Sequence, residues 1–314
     1  MNYSFLSSSL WKSFLLAYTV MTLTGMAHGQ IFVSYEGDTV GEYDLATGAT
    51  INNALITGLN SPAGLAVSGG NLYIANYGNA SGNGSVGVYT TSGVAVNDTL
   101  ISGLNPADVI VSGGNLYVAS GFNPGSGTVG IYTTSGTAVN ASFITGLGSP
   151  VALALSGNNL FVVDNSGNSI GVYNATTGAV INASFITGLQ TPVGLAVIGN
   201  DLFVTNFGNN TLGEYDATTG AVINAALITG LGGPNGLAAT GTDLYIANFS
   251  NNTVGDYTLL GGTVNASLVA FPEVFFPQGV AVVSTPEPSS IALLILGLGF
   301  LAYKKTRRHR FARF

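Results

Sequence analysis

The chain has no cysteine, and between Gln30 and Tyr303 it has no lysine, arginine or histidine. Each absence removes a class of chemistry. Without Cys there are neither disulfides nor thiolate metal sites. Without His or Cys in the middle, Ser-His-Asp and Cys-His catalytic sets cannot be assembled there. Without a cation the middle has no internal salt bridge. Every Met (Met1, Met21, Met26) and the only Trp (Trp11) also precede Gln30. No Gly-rich phosphate loop stands before a helix, so no nucleotide site is indicated. All fourteen Asp and Glu residues, from Glu36 to Glu287, lie in the stretch that lacks bases. A mature body of charge −13 or −14, depending on whether Glu287 is kept, repels phosphate backbones and anionic lipid, which excludes nucleic acid as a partner. The same surface attracts cations, so Ca²⁺ can bridge it to an acidic polysaccharide.

The basic residues are gathered at the two ends. Lys12 precedes an apolar run from Ser13 to Gly25, and Ala27-His28-Gly29 stands ahead of Gln30. Small residues three and one before a junction, behind a short apolar run, predict a signal peptide over 1–29. At the other end Pro286-Glu287-Pro288 is followed by thirteen uncharged residues, Ile291 to Tyr303, and then by Lys304, Lys305, Arg307, Arg308, His309, Arg310 and Arg313. At a rise of ~1.5 Å per residue that run covers about 20 Å, short of the bilayer's ~30 Å core, so as a permanent anchor it is marginal. The basic cluster stays cytoplasmic and leaves the body on the other side. This ordered set resembles the PEP-CTERM sorting signal over 286–314. The resemblance implies recognition by an exosortase in a Gram-negative bacterium that makes exopolysaccharide. It further implies cleavage near Pro286, Glu287 and Pro288, and transfer of the body to the cell surface or biofilm matrix. The membrane is then contacted only through the tail, before processing.

The stretch between the ends, 30–285, has one composition and an internal repeat. Asn71, Asn115, Asn159, Asp201 and Asp243 each open a segment of the type Asn-Leu-Tyr-Ile-Ala-Asn, at steps of 44, 44, 42 and 42 residues. That period belongs to a four-stranded propeller blade. Each unit holds four strand-like runs between turn residues, with no helical periodicity. First strands are expected near Ala63, Ala107, Val151, Val193, Asn235 and Gln278. The chain begins on a second strand at Ile31 and ends on a lone first strand, which predicts an all-β, six-bladed propeller closed by its C-terminal strand, leaving no exposed sheet edge at the junction. The units resemble NHL and gluconolactonase-like propeller repeats in Pro-x-Gly-Leu-Ala-Val, Asn-Leu-Tyr-Ile-Ala-Asn and Val-Gly-x-Tyr-Asp. NHL repeats usually carry Arg in the third strand, whereas this chain has Val40, Val86, Val129, Ile170, Leu212 and Val254. RNA binding is thereby disfavoured.

In a propeller the loops leading into first strands share a face with those joining second to third strands. Candidate positions are therefore the ends of second strands, taken as Ser34, Asn76, Ser120, Asp164, Asn206 and Asn248, and the start of the first strands. There Asp108 replaces the Gly found at Gly64, Gly194, Gly236 and Gly279. Longer loops after Asn76 and Ser120 flank Asp108, and one-sided insertions mark a binding surface. Oxygen ligands converging on the axis suit Ca²⁺. The resemblance to gluconolactonase-like and regucalcin-like propellers places Asp108, Asp164, Asn206 and Asn248 at such a metal, although the family's Glu ligand has no secure match. The same side chains also close turns through hydrogen bonds to backbone. Aromatics after second strands, Tyr35, Tyr77, Phe122, Phe207 and Phe249, can stack on sugar faces or pack between blades. The Tyr of each third strand reads as structural. Asn-x-Ser/Thr triplets at Asn140, Asn182, Asn252 and Asn265 read as polar outer strands.

The expected function is an exported surface or matrix propeller without a required cofactor. Its binding residues are Tyr77, Asp108, Phe122, Asp164, Asn206 and Asn248, and its partner is a polysaccharide or a surface protein. The alternative is a lactonase or related hydrolase that depends on Ca²⁺ or another divalent metal at the channel mouth, with Asp108 or Asp164 as base.

Overall fold

A computed structural model describes residues 29–78, 83–121, 125–271 and 275–284. Residues 1–28 of the expected signal peptide, Phe122, and the whole sorting tail including Pro286, Glu287 and Pro288 lie outside the described residues.

The described residues form six antiparallel four-stranded sheets. Blade 1 is β24 (Pro277–Val283), β1 (Gln30–Tyr35), β2 (Thr39–Asp44) and β3 (Thr50–Ile56). Blade 2 is β4 (Pro62–Ser68), β5 (Asn71–Asn76), β6 (Gly84–Thr90) and β7 (Ala95–Leu104). Blade 3 is β8 (Pro106–Ser112), β9 (Asn115–Ser120), β10 (Gly127–Thr133) and β11 (Ala138–Leu147). Blade 4 is β12 (Pro150–Ser156), β13 (Asn159–Asp164), β14 (Ser169–Asn174) and β15 (Val180–Ile186). Blade 5 is β16 (Pro192–Ile198), β17 (Asp201–Asn206), β18 (Thr211–Asp216) and β19 (Val222–Thr229). Blade 6 is β20 (Pro234–Ala239), β21 (Asp243–Asn248), β22 (Thr253–Thr258) and β23 (Thr263–Ala270). The last strand closes the ring as expected, with Gln30 opposite Val283 and Val33 opposite Val280.

Burial falls between blades rather than within them. Six apolar clusters each draw on two neighbouring blades: Tyr73, Ala75 and Val88 of blade 2, for example, pack with Val109, Leu116 and Tyr132 of blade 3. The second strands are consequently apolar on both faces, since a neighbour covers each side. The cluster between blades 6 and 1 brings Tyr245, Ala247 and Val254 against Ile31, Val33 and Tyr43, so closure buries apolar surface as well as pairing backbone.

Three sequence signatures acquire physical reasons. In the third strands, Gly-x-Tyr recurs because the tyrosine ring lies over the glycine two residues before it; a Cβ at Gly130 would come within 2.7 Å of the Tyr132 ring. In the outer strands a recurring Asn makes a bulge. The Oδ1 atoms of Asn140, Asn182 and Asn265 accept the N–H two residues on at 3.0 to 3.1 Å, beside a shift in pairing register. Asn52 and Asn224 do the same with Ala at the third position, so the bulge needs the Asn and not the triplet. Asn252 differs from the expectation, because it sits in the turn between β21 and β22. At the rim, the turn glycine between third and fourth strands sits on a carbonyl of the preceding blade: Gly93 on Leu55, Gly136 on Leu100, Gly178 on Phe143, Gly220 on Phe185, Gly261 on Leu227 and Gly48 on Leu268. The Gly48 contact joins blade 6 to blade 1.

Candidate functional site: the mouth and axial channel

First strands converge on the axis, where space allows almost no side chain. A Cβ at Gly194, Gly236 or Gly279 would overlap the backbone of the next inner strand. The bulge after each leading proline shifts the register between first and second strands, and polar side chains fill the resulting gaps. Ser34 Oγ donates to Ala63 O (2.6 Å) and accepts from Gly279 N–H (2.9 Å). Thr205 Oγ1 likewise donates to Asn235 O (2.8 Å) and accepts from Gly194 N–H (2.7 Å).

Asp108 extends this role across three blades. It is half-buried in the channel wall, and a Cβ at Gly64 would strike its carboxylate. Oδ2 accepts the N–H of Leu153 on blade 4 (2.8 Å), and Oδ1 accepts that of Val109 (2.9 Å). Removal from water pushes its pKa up to about 7, with the two N–H donors opposing the rise. Desolvation therefore outweighs the hydrogen bonds.

The other proposed metal ligands hold the loops that lead into first strands. Asp164 accepts from Gly148 N–H (2.8 Å) and Ser149 N–H (2.9 Å), Asn206 from Gln190 N–H (3.2 Å), and Asn248 from Gly232 N–H (3.4 Å). Ser120 accepts from Asn105 N–H (3.1 Å) in the same way. Of Asp108, Asp164, Asn206 and Asn248, only Asp108 lines the channel. The four do not make one donor set, because each oxygen is directed at a different segment of backbone. An ion bound by them would compete with those N–H donors for the oxygen lone pairs. The ring is accordingly expected to melt at the same temperature in EDTA and in millimolar Ca²⁺. A rise of several degrees in Ca²⁺ would mean that these residues reorganise into a site.

The alignment of second-strand ends needs one correction. Tyr35, not Ser34, is the counterpart of Asn76, since Tyr35 pairs with Pro277 as Asn76 pairs with Pro62. Tyr35 is therefore buried, its hydroxyl donating to Asn53 O, and Glu36 takes the position that Tyr77 holds in blade 2.

Sequence reasoning missed a second set of clamps. Asp38, Asn168, Asn210 and Asn252, all with positive φ, lie in turns between second and third strands. Each accepts an N–H from the lead-in loop of the next blade: Ser61 (2.8 Å), Thr191 (2.9 Å), Gly233 (2.9 Å), and both Phe275 (2.9 Å) and Phe276 (3.1 Å). The signal was present as Asp or Asn directly before Thr or Ser at the head of the third strand in blades 1, 4, 5 and 6. Asn tolerates the left-handed conformation and Ser/Thr begins the strand.

Two connected cavities occupy the axis. The mouth, about 470 Å³, is lined on blades 1 and 2 by Tyr35, Glu36, Asp38, Ser61 and Tyr77. It narrows past Asn235 and Gln278, whose amides bond to each other (Nδ2 to Oε1, 2.7 Å), into a channel of about 150 Å³ that holds Asp108. The ionisable groups on these walls are acids and tyrosines. Of the expected binding residues the structure thus brings Tyr77 and Asp108 to the mouth and channel, and leaves Asp164, Asn206 and Asn248 in the loop scaffold around them. Among the described residues no group of three His, Cys, Asp or Glu could hold a metal.

The chain leaves the ring at Val283, beside Gln30. Residues 284–310 match the PEP-CTERM protein-sorting motif. The motif implies exosortase-dependent export and membrane-associated sorting of the ring that precedes it. No curated protein matches the chain. Solved structures share its fold: a chain from the nidogen/laminin complex (TM-score 0.68) and a protein of unknown function from Bacteroides caccae (TM-score 0.63) are each 15% identical to it, the matches covering 82% of this chain and 100% of theirs.

Proposed function

We propose that this protein works at the cell surface or in the extracellular matrix as a binding module, and that its mouth face engages a polysaccharide or a protein partner. The observation that carries this reading is the mouth, an open cavity walled by tyrosines, amides and acids on an otherwise tightly packed ring. The ring contains no Lys, Arg, His or Cys, which removes the His- and Cys-dependent catalytic sets, whereas a concave site with few polar groups suits recognition. The test is retention of the folded ring on extracted matrix polymer and on cells, with and without Ca²⁺. Binding is expected, and Tyr77→Ala is expected to weaken it about ten-fold. No retention on either material would sink the proposal.

A second reading, lactone hydrolysis in the channel, is favoured by Asp108 alone, because a carboxylate with a pKa of about 7 can take up a proton near neutral pH. Both of its oxygens already accept backbone N–H bonds, which weakens that role. Turnover of sugar lactones with Ca²⁺, Zn²⁺ or Mn²⁺ that disappears in Asp108→Asn would establish it.

A further inference from the structure

We infer that the mouth face carries a second subsite, an aromatic row formed by Phe207, Phe249 and Phe276 on blades 5, 6 and 1, and that this row takes an uncharged polysaccharide. The inference rests on the reading that this face is the binding surface, and it names the ligand class.

The three rings form a continuous line. Phe249 stacks on Phe276 with centroids 4.7 Å apart and planes at 22°, and it meets Phe207 edge-on at 6.2 Å. Phe207 is 37% exposed, and it is the one exposed phenylalanine among the described residues; the other exposed large apolar side chains are Val, Ile and Leu. Phe276 is held in the row at a conformational cost. It precedes the leading proline of β24, where the other five blades carry Ser61, Asn105, Ser149, Thr191 and Gly233. Its φ of 50° is a left-handed conformation that bulky residues rarely adopt. Asn252 fixes the turn by accepting the N–H groups of both Phe275 and Phe276. Phe275 then packs inward against Tyr35 (4.9 Å), while Phe276 stacks on Phe249. Ser61, Thr191 and Gly233 hold the same left-handed conformation before the leading proline in blades 2, 5 and 6, so the turn itself does not require a phenylalanine.

Chemistry selects the ligand. Exposed Phe207 and the uncovered parts of the half-buried Phe249 and Phe276 offer apolar surface without a hydrogen-bonding atom, which matches the C–H faces of a sugar ring. Exposed amides at Gln190, Asn209 and Asn251 supply donors and acceptors for its hydroxyls. The body has no cationic side chain to pair with a uronate, sulfate or phosphate, so without a bridging cation a polyanion is repelled and an uncharged polymer is not. A strip of three rings is also far smaller than the roughly 800 Å² per partner that a stable protein interface buries.

The test is affinity electrophoresis of the exported protein through a soluble uncharged glucan and, separately, through a polyuronate with and without Ca²⁺. Retention on matrix extract is measured in parallel. The uncharged glucan is expected to retard the wild-type protein. Phe207→Ala, at an exposed position, should bind roughly ten-fold more weakly with an unchanged melting temperature, and Phe207→Trp should bind at least as tightly. Retention on matrix extract without retardation by the glucan overturns the inference while leaving the mouth-face reading intact, and binding neither material defeats both. Binding only to polyuronate, only to matrix protein, or undiminished glucan binding by Phe207→Ala also overturns it.

Discussion

Gly48→Ala is expected to destabilise the ring by about 3 kcal/mol, seen as a lower urea midpoint, and Gly58→Ala by only about 1 kcal/mol. The two glycines form a matched pair because their backbone conformations are alike, with φ of 68° and 72°. Both substitutions therefore carry the same left-handed strain. Their surroundings differ. A Cβ at Gly58 meets nothing within 4 Å, whereas one at Gly48 would overlap the Leu268 carbonyl group of blade 6. Relief requires the turn between β2 and β3 to move off its neighbour, which opens the rim contact at the seam where the last blade meets the first. Each kcal/mol should lower the melting temperature by roughly 2–4 °C in a body of this size. Equal effects from the two variants would show that the rim contact contributes nothing and that closure depends on the β24–β1 ladder and the apolar cluster between blades 6 and 1.

Asp108 should make the ring more stable in mild acid than in mild base. Its pKa rises from the ordinary aspartate value of 3.8 to about 7 in the fold. A raised carboxyl pKa means that the folded state holds the proton more firmly than the unfolded chain does. The associated stability is fully present below about pH 4 and is lost as pH rises through 7. At 1.36 kcal/mol per unit, the bound on this contribution is about 4 kcal/mol, part of which water in the channel screens. Asp256 adds in the same direction with a pKa of about 6, raised by burial and then by Asp243. Loss of self-repulsion at low pH also adds to the trend for so acidic a body. Asp108→Asn separates these terms. Its melting temperature should still decline with pH, but the drop between pH 5 and pH 8 should be several degrees smaller than in the wild type. Identical profiles would mean that the Asp108 carboxylate is solvated well enough to titrate normally.

Much of the architecture follows from the sequence because repetition averages out local ambiguity. A single run such as Asn71 to Asn76 could belong to any sheet, but five copies at steps of 42 to 44 residues identify a blade, and the three strands at one end and single strand at the other dictate closure by β24. The sorting motif at 284–310 is legible for a different reason: it is read as linear chemistry, an apolar run with charges in fixed order, and needs no fold to be recognised. The register of β1 was not legible. Tyr35 stands where the other repeats have Asn, Ser or Asp, and its resemblance to the aromatic one place further along shifted the alignment by one.

The candidate site was legible only as a set of residue types. An Asn or Asp at a strand end looks the same in sequence whether its oxygen faces a ligand or a backbone N–H. Tertiary structure decided that Asp164, Asn206 and Asn248 turn toward their own lead-in loops, while Asp108 faces the channel because Gly64 on the adjacent strand leaves room for its carboxylate. The aromatic row was legible only in part: Phe207 and Phe249 stand out as aromatics after second strands, but neither Phe276 nor the contact between the rings does. Phe207, Phe249 and Phe276 are separated by 42 and 27 residues, and only the convergence of three blades at one rim, with Asn252 setting the backbone of Phe276, brings their rings together. The C-terminal motif and the internal period determined that this protein carries a sorting signal and how its strands are arranged, since both depend on patterns along the chain. Side-chain direction and the sharing of space between blades determined which residues can meet a partner, since those depend on distances that the chain order does not contain.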